Sequence, residues 1–201
     1  MPTPPEGFLE DFERMQTHFE WAERSIASGI ADLPQAKLVF EEWQEFVARY
    51  LHRIKEAEVV AGIQQADKVM QALQRELERL HLEHLKTVVA ARRDWHVAEL
   101  IFKGVVACSE IVKVCPPHLL PELLGILKGE DGGEYDASKA YQESEADAEE
   151  AEAKFRQALA RFECDWPERT GEALRQRLLK LTADDFTMSD EELAAVLAEL
   201  N

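Results

Sequence analysis

Glu78-Arg-Leu-His81 is the spacing in this chain with the most definite chemical meaning. A carboxylate and an imidazole three residues apart lie on one face of a helix. Helical di-metal carboxylate proteins use that arrangement to hold their ions. His84 follows three residues later, so Glu78, His81 and His84 are the candidate metal ligands of an enzyme-class reading, a helical-bundle metal-dependent protein. A complete centre needs a second Glu-x-x-His and two further inward carboxylates from other helices. His18, His52, His96 and His118 have no glutamate three residues ahead of them. The motif is half a centre, and His84 also continues the apolar seam of Leu77 and Leu80. The sequence therefore predicts a fold that needs no metal or other cofactor.

Nucleophilic chemistry finds less support. Cys108 and Cys115 fall on an apolar helix, where a thiol stays protonated and inert. With Cys164 they make an odd, sparse set without a Cys-x-x-Cys pair, which fits reduced thiols and a cytoplasmic location. There is no Gly-x-Ser-x-Gly elbow, phosphate-cradling glycine loop or dinucleotide fingerprint. The N-terminus, Met1-Pro-Thr-Pro-Pro-Glu6, lacks the basic and apolar regions of a signal peptide. Nothing in the residues argues for catalysis.

Charge is the stronger signal. The chain has 201 residues with 23 Lys and Arg against 40 Asp and Glu, a net charge of −17. Residues 1–116 hold 14 basic and 19 acidic side chains, residues 117–201 hold 9 and 21. Such a field repels nucleic-acid phosphates and anionic membranes and favours a basic protein partner. It is densest at 129–152, where ten acidic residues accompany a single basic one, Lys139. Glu143, Glu145, Asp147, Glu149, Glu150 and Glu152 are the candidate partner-binding residues within it. Three roles suit them: a solvated face, a ridge offered to a basic partner, or docking within the chain on a stripe of Arg75, Arg79, Lys86 and Arg93. A DNA-mimicking inhibitor of a nucleic-acid-binding protein is the alternative in the binding class.

Long helices must position all of these groups. From Gln35 to Cys115 there is no proline and only two glycines, Gly62 and Gly104. Proline costs a helix interior about 3 kcal/mol and glycine about 1, so their near-absence predicts a few long helices. Phe8, Phe12, Met15, Phe19, Ala22 and Ile26 form one seam, begun by a Thr3 to Glu6 capping box and stopped at Gly29. Asp32-Leu-Pro-Gln35 restarts the chain for a second seam of Phe40, Trp43, Val47, Tyr50, Ile54 and Ala57. A third, Ile63, Ala66, Met70, Leu73, Leu77, Leu80 and His84, is out of phase with it. That slip near Gly62 means either a break or a change of packing partner along one helix. An unbroken Gln35–Cys115 helix would be about 120 Å long, so at least one break is expected, at Gly62 or around Ala90–Asp94.

Trp95 to Cys115 is apolar over more than half of its surface and reads as the most buried helix. Glu99, Lys103, Glu110 and Lys113 argue against a membrane span. Phe102 and Val105 are expected to share an interior with Phe12, Phe19, Trp43 and Tyr50. Three glycines at 129–133 read as a hinge. Beyond it comes an acidic helix with a thin seam of Tyr141, Ala148, Ala151, Phe155, Leu159 and Phe162, then shorter helices, the last opened by a Ser189 to Glu192 capping box.

The fold class is all-α: an antiparallel helical bundle or elongated helical hairpin over 1–128, an acidic hinge at 129–133 and a smaller acidic C-terminal helical unit at 134–201. The function expected is a non-catalytic protein–protein interaction module, such as an adaptor, assembly chaperone, inhibitor or immunity-type factor. It would engage a basic partner surface, and its helical seams also suit a homo-oligomer.

Overall fold

The computed structural model describes residues 7–51, 57–127 and 136–200. Among them the fold is all-α, with seven helices, two 3₁₀ turns and no strand. The Thr3 to Glu6 start signal, His52, Ile54 and the glycine hinge at 129–133 lie outside the described residues. No helix is long and apolar enough to cross a membrane among the residues described. The chain divides into two compact units, Met1–Leu82 and Glu83–Asn201.

Unit 1 holds α1 (Phe8–Ser28), α2 (Leu33–Tyr50) and the first part of α3 (Ala57–Val114). Gly29 ends α1 with φ 85° and ψ 141°, a positive-φ conformation open mainly to glycine. Asp32 then caps α2 by accepting the Gln35 backbone N–H at 3.0 Å, with Pro34 in the first turn. The short connection makes α1 and α2 antiparallel: His18 meets Glu42 at 2.9 Å, and Asp11 meets Tyr50 at 2.7 Å. Phe8, Met15 and Ala22 are buried from α1, and Ala36, Val39, Trp43, Phe46 and Tyr50 from α2. Ile63, Met70, Leu73 and Leu77 of α3 complete this core. Each of the larger aliphatic and phenylalanine side chains among them contributes about 1.5–3 kcal/mol by leaving water.

The sequence expectation of a break at Gly62 or near Ala90–Asp94 is corrected here. The helix α3 runs through both places; α2 ends at Tyr50 with Leu51 as its C-cap, and α3 spans Ala57–Val114. One glycine costs about 1 kcal/mol, too little to stop a 58-residue helix whose neighbours favour it. The two out-of-phase seams belong to different helices, the one over 40–50 to α2 and the one over 63–84 to α3.

Unit 2 holds the second part of α3 with α4 (Leu120–Leu127), α5 (Ala137–Asp165), α6 (Glu172–Leu179) and α7 (Asp190–Ala198). Asp136 caps α5 by accepting the N–H groups of Ser138 and Lys139. The helix then runs antiparallel to α3, with Phe155 stacked on Trp95 and Tyr141 edge-on to Phe102. Trp166 follows α5, and Leu174, Leu178, Leu181, Leu193, Ala194 and Leu197 close the core against Leu85, Val88 and Val89.

Two adjacent arginines of α3 fasten this C-terminal part. Arg92 is buried, lies 4.4 Å over the Trp95 ring and donates to the carbonyls of Leu179 and Leu181. Burial holds its pKa below the ordinary arginine value. Arg93 donates to the Met188 carbonyl at 2.6 Å and pairs with Asp190 at 2.7 Å, at the start of α7. The Ser189 to Glu192 capping box is present.

Two expectations change. The compact units meet inside α3, whereas the sequence division was 1–128 and 134–201; the α5 seam belongs to the same unit as the second part of α3. The 95–115 stretch is also not the most buried: Trp95, Phe102 and Val105 are half-buried, and Ile101 is 57% exposed. Phe102 and Val105 belong to unit 2, whereas Phe12, Phe19, Trp43 and Tyr50 belong to unit 1.

Candidate interaction surfaces

A cavity of about 580 Å³ opens on unit 1 where α1, α2 and the start of α3 converge. Phe12, Met15 and Phe19 form its α1 wall, Trp43 and Phe46 its α2 wall, and Gly62, Ile63 and Ala66 its floor. The seam spacing of α1 places the three apolar side chains in a row. The neighbouring row, Gln16, Glu20 and Glu23, runs beside them and lines the same cavity. At Gly62 an added Cβ would meet nothing within 4 Å, so the missing side chain leaves the floor open. Its size and lining suit an apolar ligand group, and its rim adds two exposed carboxylates. Sequence reasoning found the apolar row but not the acidic row beside it; the 4 and 3 spacing of Gln16, Glu20 and Glu23 was the available signal.

One polar contact stabilises the far end of the α1–α2 pair. Asp11 accepts from the Tyr50 hydroxyl at 2.7 Å and from Arg49 at 3.0 Å. The Tyr50 hydrogen bond, with Arg14 and Arg49 close by, holds the Asp11 carboxyl below the usual aspartate value. The same bond pushes the Tyr50 phenol up.

Of the six candidate acidic residues of α5, Glu145 and Glu152 are half-buried and the others exposed, and three are paired with a cation on their own helix. Glu150 pairs with Lys154 at 2.7 Å, Glu152 with Arg156 at 2.6 Å, and Glu143 with Lys139 at 3.7 Å. The Lys154 ammonium holds the Glu150 carboxyl down, while Glu145 accepts from the Tyr141 hydroxyl at 3.3 Å. Asp147 lines a shallow cavity with Arg93, and Glu149 is exposed. These i to i+4 pairs answer the self-repulsion that the bare sequence implied. The basic stripe is used locally as well: Arg79 pairs with Glu76 at 2.6 Å, Arg75 donates to the Gln71 carbonyl, and Arg93 holds α7.

The metal candidates have separate commitments. Glu78 accepts from the Gln74 amide at 3.1 Å. His81 is buried, at 3% exposure. His84 Nδ1 accepts from the Trp166 indole at 3.2 Å, with an Asp165 oxygen 3.3 Å away. Among the described residues no three His, Cys, Asp or Glu side chains gather as a metal ion would require. The thiols of Cys108, Cys115 and Cys164 are free. Set against known protein families, curated proteins and solved structures, the chain matches none of them.

Proposed function

We propose that the chain is a non-catalytic interaction module that receives the apolar face of a basic amphipathic segment in the groove of unit 1. The observation that carries this reading is the α1 wall, where Phe12, Met15 and Phe19 run alongside Glu20 and Glu23. An amphipathic helix laid into such a groove buries its apolar anchors between aromatic rings. Its flanking Lys or Arg side chains then meet the two carboxylates. Aromatic contacts supply most of the affinity, whereas the rim charges set encounter rate and orientation. The net charge of −17 favours the same class of partner at longer range. The carboxylates of α5 contribute to that general field, since three of them already have a cation on their own helix.

A fluorescent peptide of Leu and Lys at helical spacing is the probe, with a scrambled peptide of equal charge as its control. Anisotropy should show binding of the ordered peptide over the scrambled one. Glu20→Gln with Glu23→Gln should weaken binding and flatten its salt dependence, and Phe19→Asp should abolish it. Joint substitution of Glu143, Glu145, Glu149 and Glu150 to Gln should leave it nearly unchanged. If that quadruple variant loses the peptide while the groove variants keep it, the interface is the α5 ridge. Equal binding of both peptides would remove the groove from consideration.

A further inference from the structure

The second part of α3 has two apolar faces. The face bearing Trp95 and Phe102 is occupied by α5, through Phe155 at 5.5 Å and Tyr141 at 5.3 Å between ring centroids. A residue two positions away lies about 200° round the helix, on the far side. Val97, Leu100, Gly104, Ala107, Ile111 and Val114 are spaced 3, 4, 3, 4 and 3, the a/d repeat of a coiled-coil seam centred on that side. Val97 is at its edge, where it also lines the cavity beside Ser144 and Asp147 of α5. All six are exposed: Val97 by 49%, Leu100 by 51%, Ile111 by 52% and Val114 by 78%. An apolar seam of this length marks an interaction surface.

We propose that a second copy of this chain covers the seam, antiparallel, about a two-fold axis between Val105 and Val106. In that register Val97 packs on Val114 of the second copy, Leu100 on Ile111, and Gly104 on Ala107. Small residues sit at the axis, where the helix backbones come closest, and larger ones seal both ends. An added Cβ at Gly104 meets nothing in the single chain, so the space for a neighbour is open.

Charge selects both the occupant and the direction. Residues 97–114 contain Glu99, Lys103, Glu110 and Lys113 and are therefore neutral, within a chain of −17. Two such acidic chains approach here without facing like charge. Lys103 and Glu110 occupy the same flanking position of the repeat, seven residues apart. Antiparallel packing sets each flank against its own copy, so Lys103 meets Glu110 of the second chain, and the pair occurs twice. Parallel packing would set them against Cys108 and Cys115, which carry no charge. Within one chain Lys103 bonds Glu99 at 2.9 Å and Lys113 bonds Glu110 at 2.6 Å. These exposed pairs are weak enough to exchange or share partners.

Sedimentation equilibrium on the full chain should show one-chain mass rising to two-chain mass with concentration. Leu100→Glu with Ile111→Glu should remain at one-chain mass with unchanged helicity, since both side chains face solvent. Lys103→Glu alone and Glu110→Lys alone should each weaken self-association about tenfold, from two repelling pairs per dimer. Mixing those two variants should restore association, because the mixed dimer regains both opposite-charge pairs while the damage within each helix persists. One-chain mass at every concentration would overturn the proposal, as would a dimer that survives the Glu pair. A mixture no stronger than its components would overturn the antiparallel register.

Discussion

At the scale of single residues, the Asp11–Tyr50 hydrogen bond couples the stability of unit 1 to pH. Asp11 has a folded-state pKa below its ordinary 3.8, with the Tyr50 bond the largest cause. A depressed carboxylate contributes stability above the unfolded value and loses it as pH falls through the folded one. Tyr50 is raised above its ordinary 10.0, chiefly by the same bond. Its contribution is complete below that value and is lost as pH rises through the folded-state pKa. The pair therefore supports unit 1 fully between the two ordinary values and fades on both sides. Tyr50→Phe should flatten both limbs of a urea-midpoint profile against pH. Parallel profiles for the two proteins would show that the bond carries no coupling.

At the scale of elements, α3 shows how one helix can serve several neighbours. Its first part faces α1 and α2 and its second part faces α5, with no break at Gly62 between them. Burial differs sharply along the α3–α5 contact. Phe155 is fully buried beneath Trp95 and Arg92, while Phe102 is only half-buried beside the exposed Tyr141. Phe155→Ala should cost about 3–5 kcal/mol, as for other buried aromatics, and Phe102→Ala clearly less. Chemical denaturation of both variants measures the difference. Equal losses would mean that α5 is held evenly along its length.

At the scale of the whole molecule, net charge should make the two proposed associations respond oppositely to salt. Two chains of −17 repel one another over many charges, whereas the seam adds only two close opposite pairs. Between 0.01 and 0.15 M salt the Debye length falls from about 30 to about 8 Å, which screens the long-range repulsion most. Self-association should therefore strengthen over that range, while binding of a basic peptide weakens. Titrating salt in both assays tests this. A common direction for the two would show that net charge does not govern the dimer.

The sequence by itself determined the helices and most of their caps. Helix formation follows from local spacing, and Asp32, Asp136 and the Ser189 to Glu192 box act within one turn. The seams of α1 and α5 were legible for the same reason, because apolar periodicity reports which side of a helix is covered. It does not report what covers it. Trp95–Cys115 is apolar on two faces, so composition alone read it as interior; only the position of α5 on Trp95 and Phe102 left Val97, Leu100, Ile111 and Val114 exposed. The acidic block likewise looked like free charge until the helix set Lys154 and Arg156 one turn from Glu150 and Glu152. The groove needed three helices to converge, and its acidic rim became part of a surface only when Phe12 and Phe19 met Trp43 and Ile63 across a gap. Local interactions along the chain fix which residues share a face, and packing between distant segments decides which of those faces remain open to a partner.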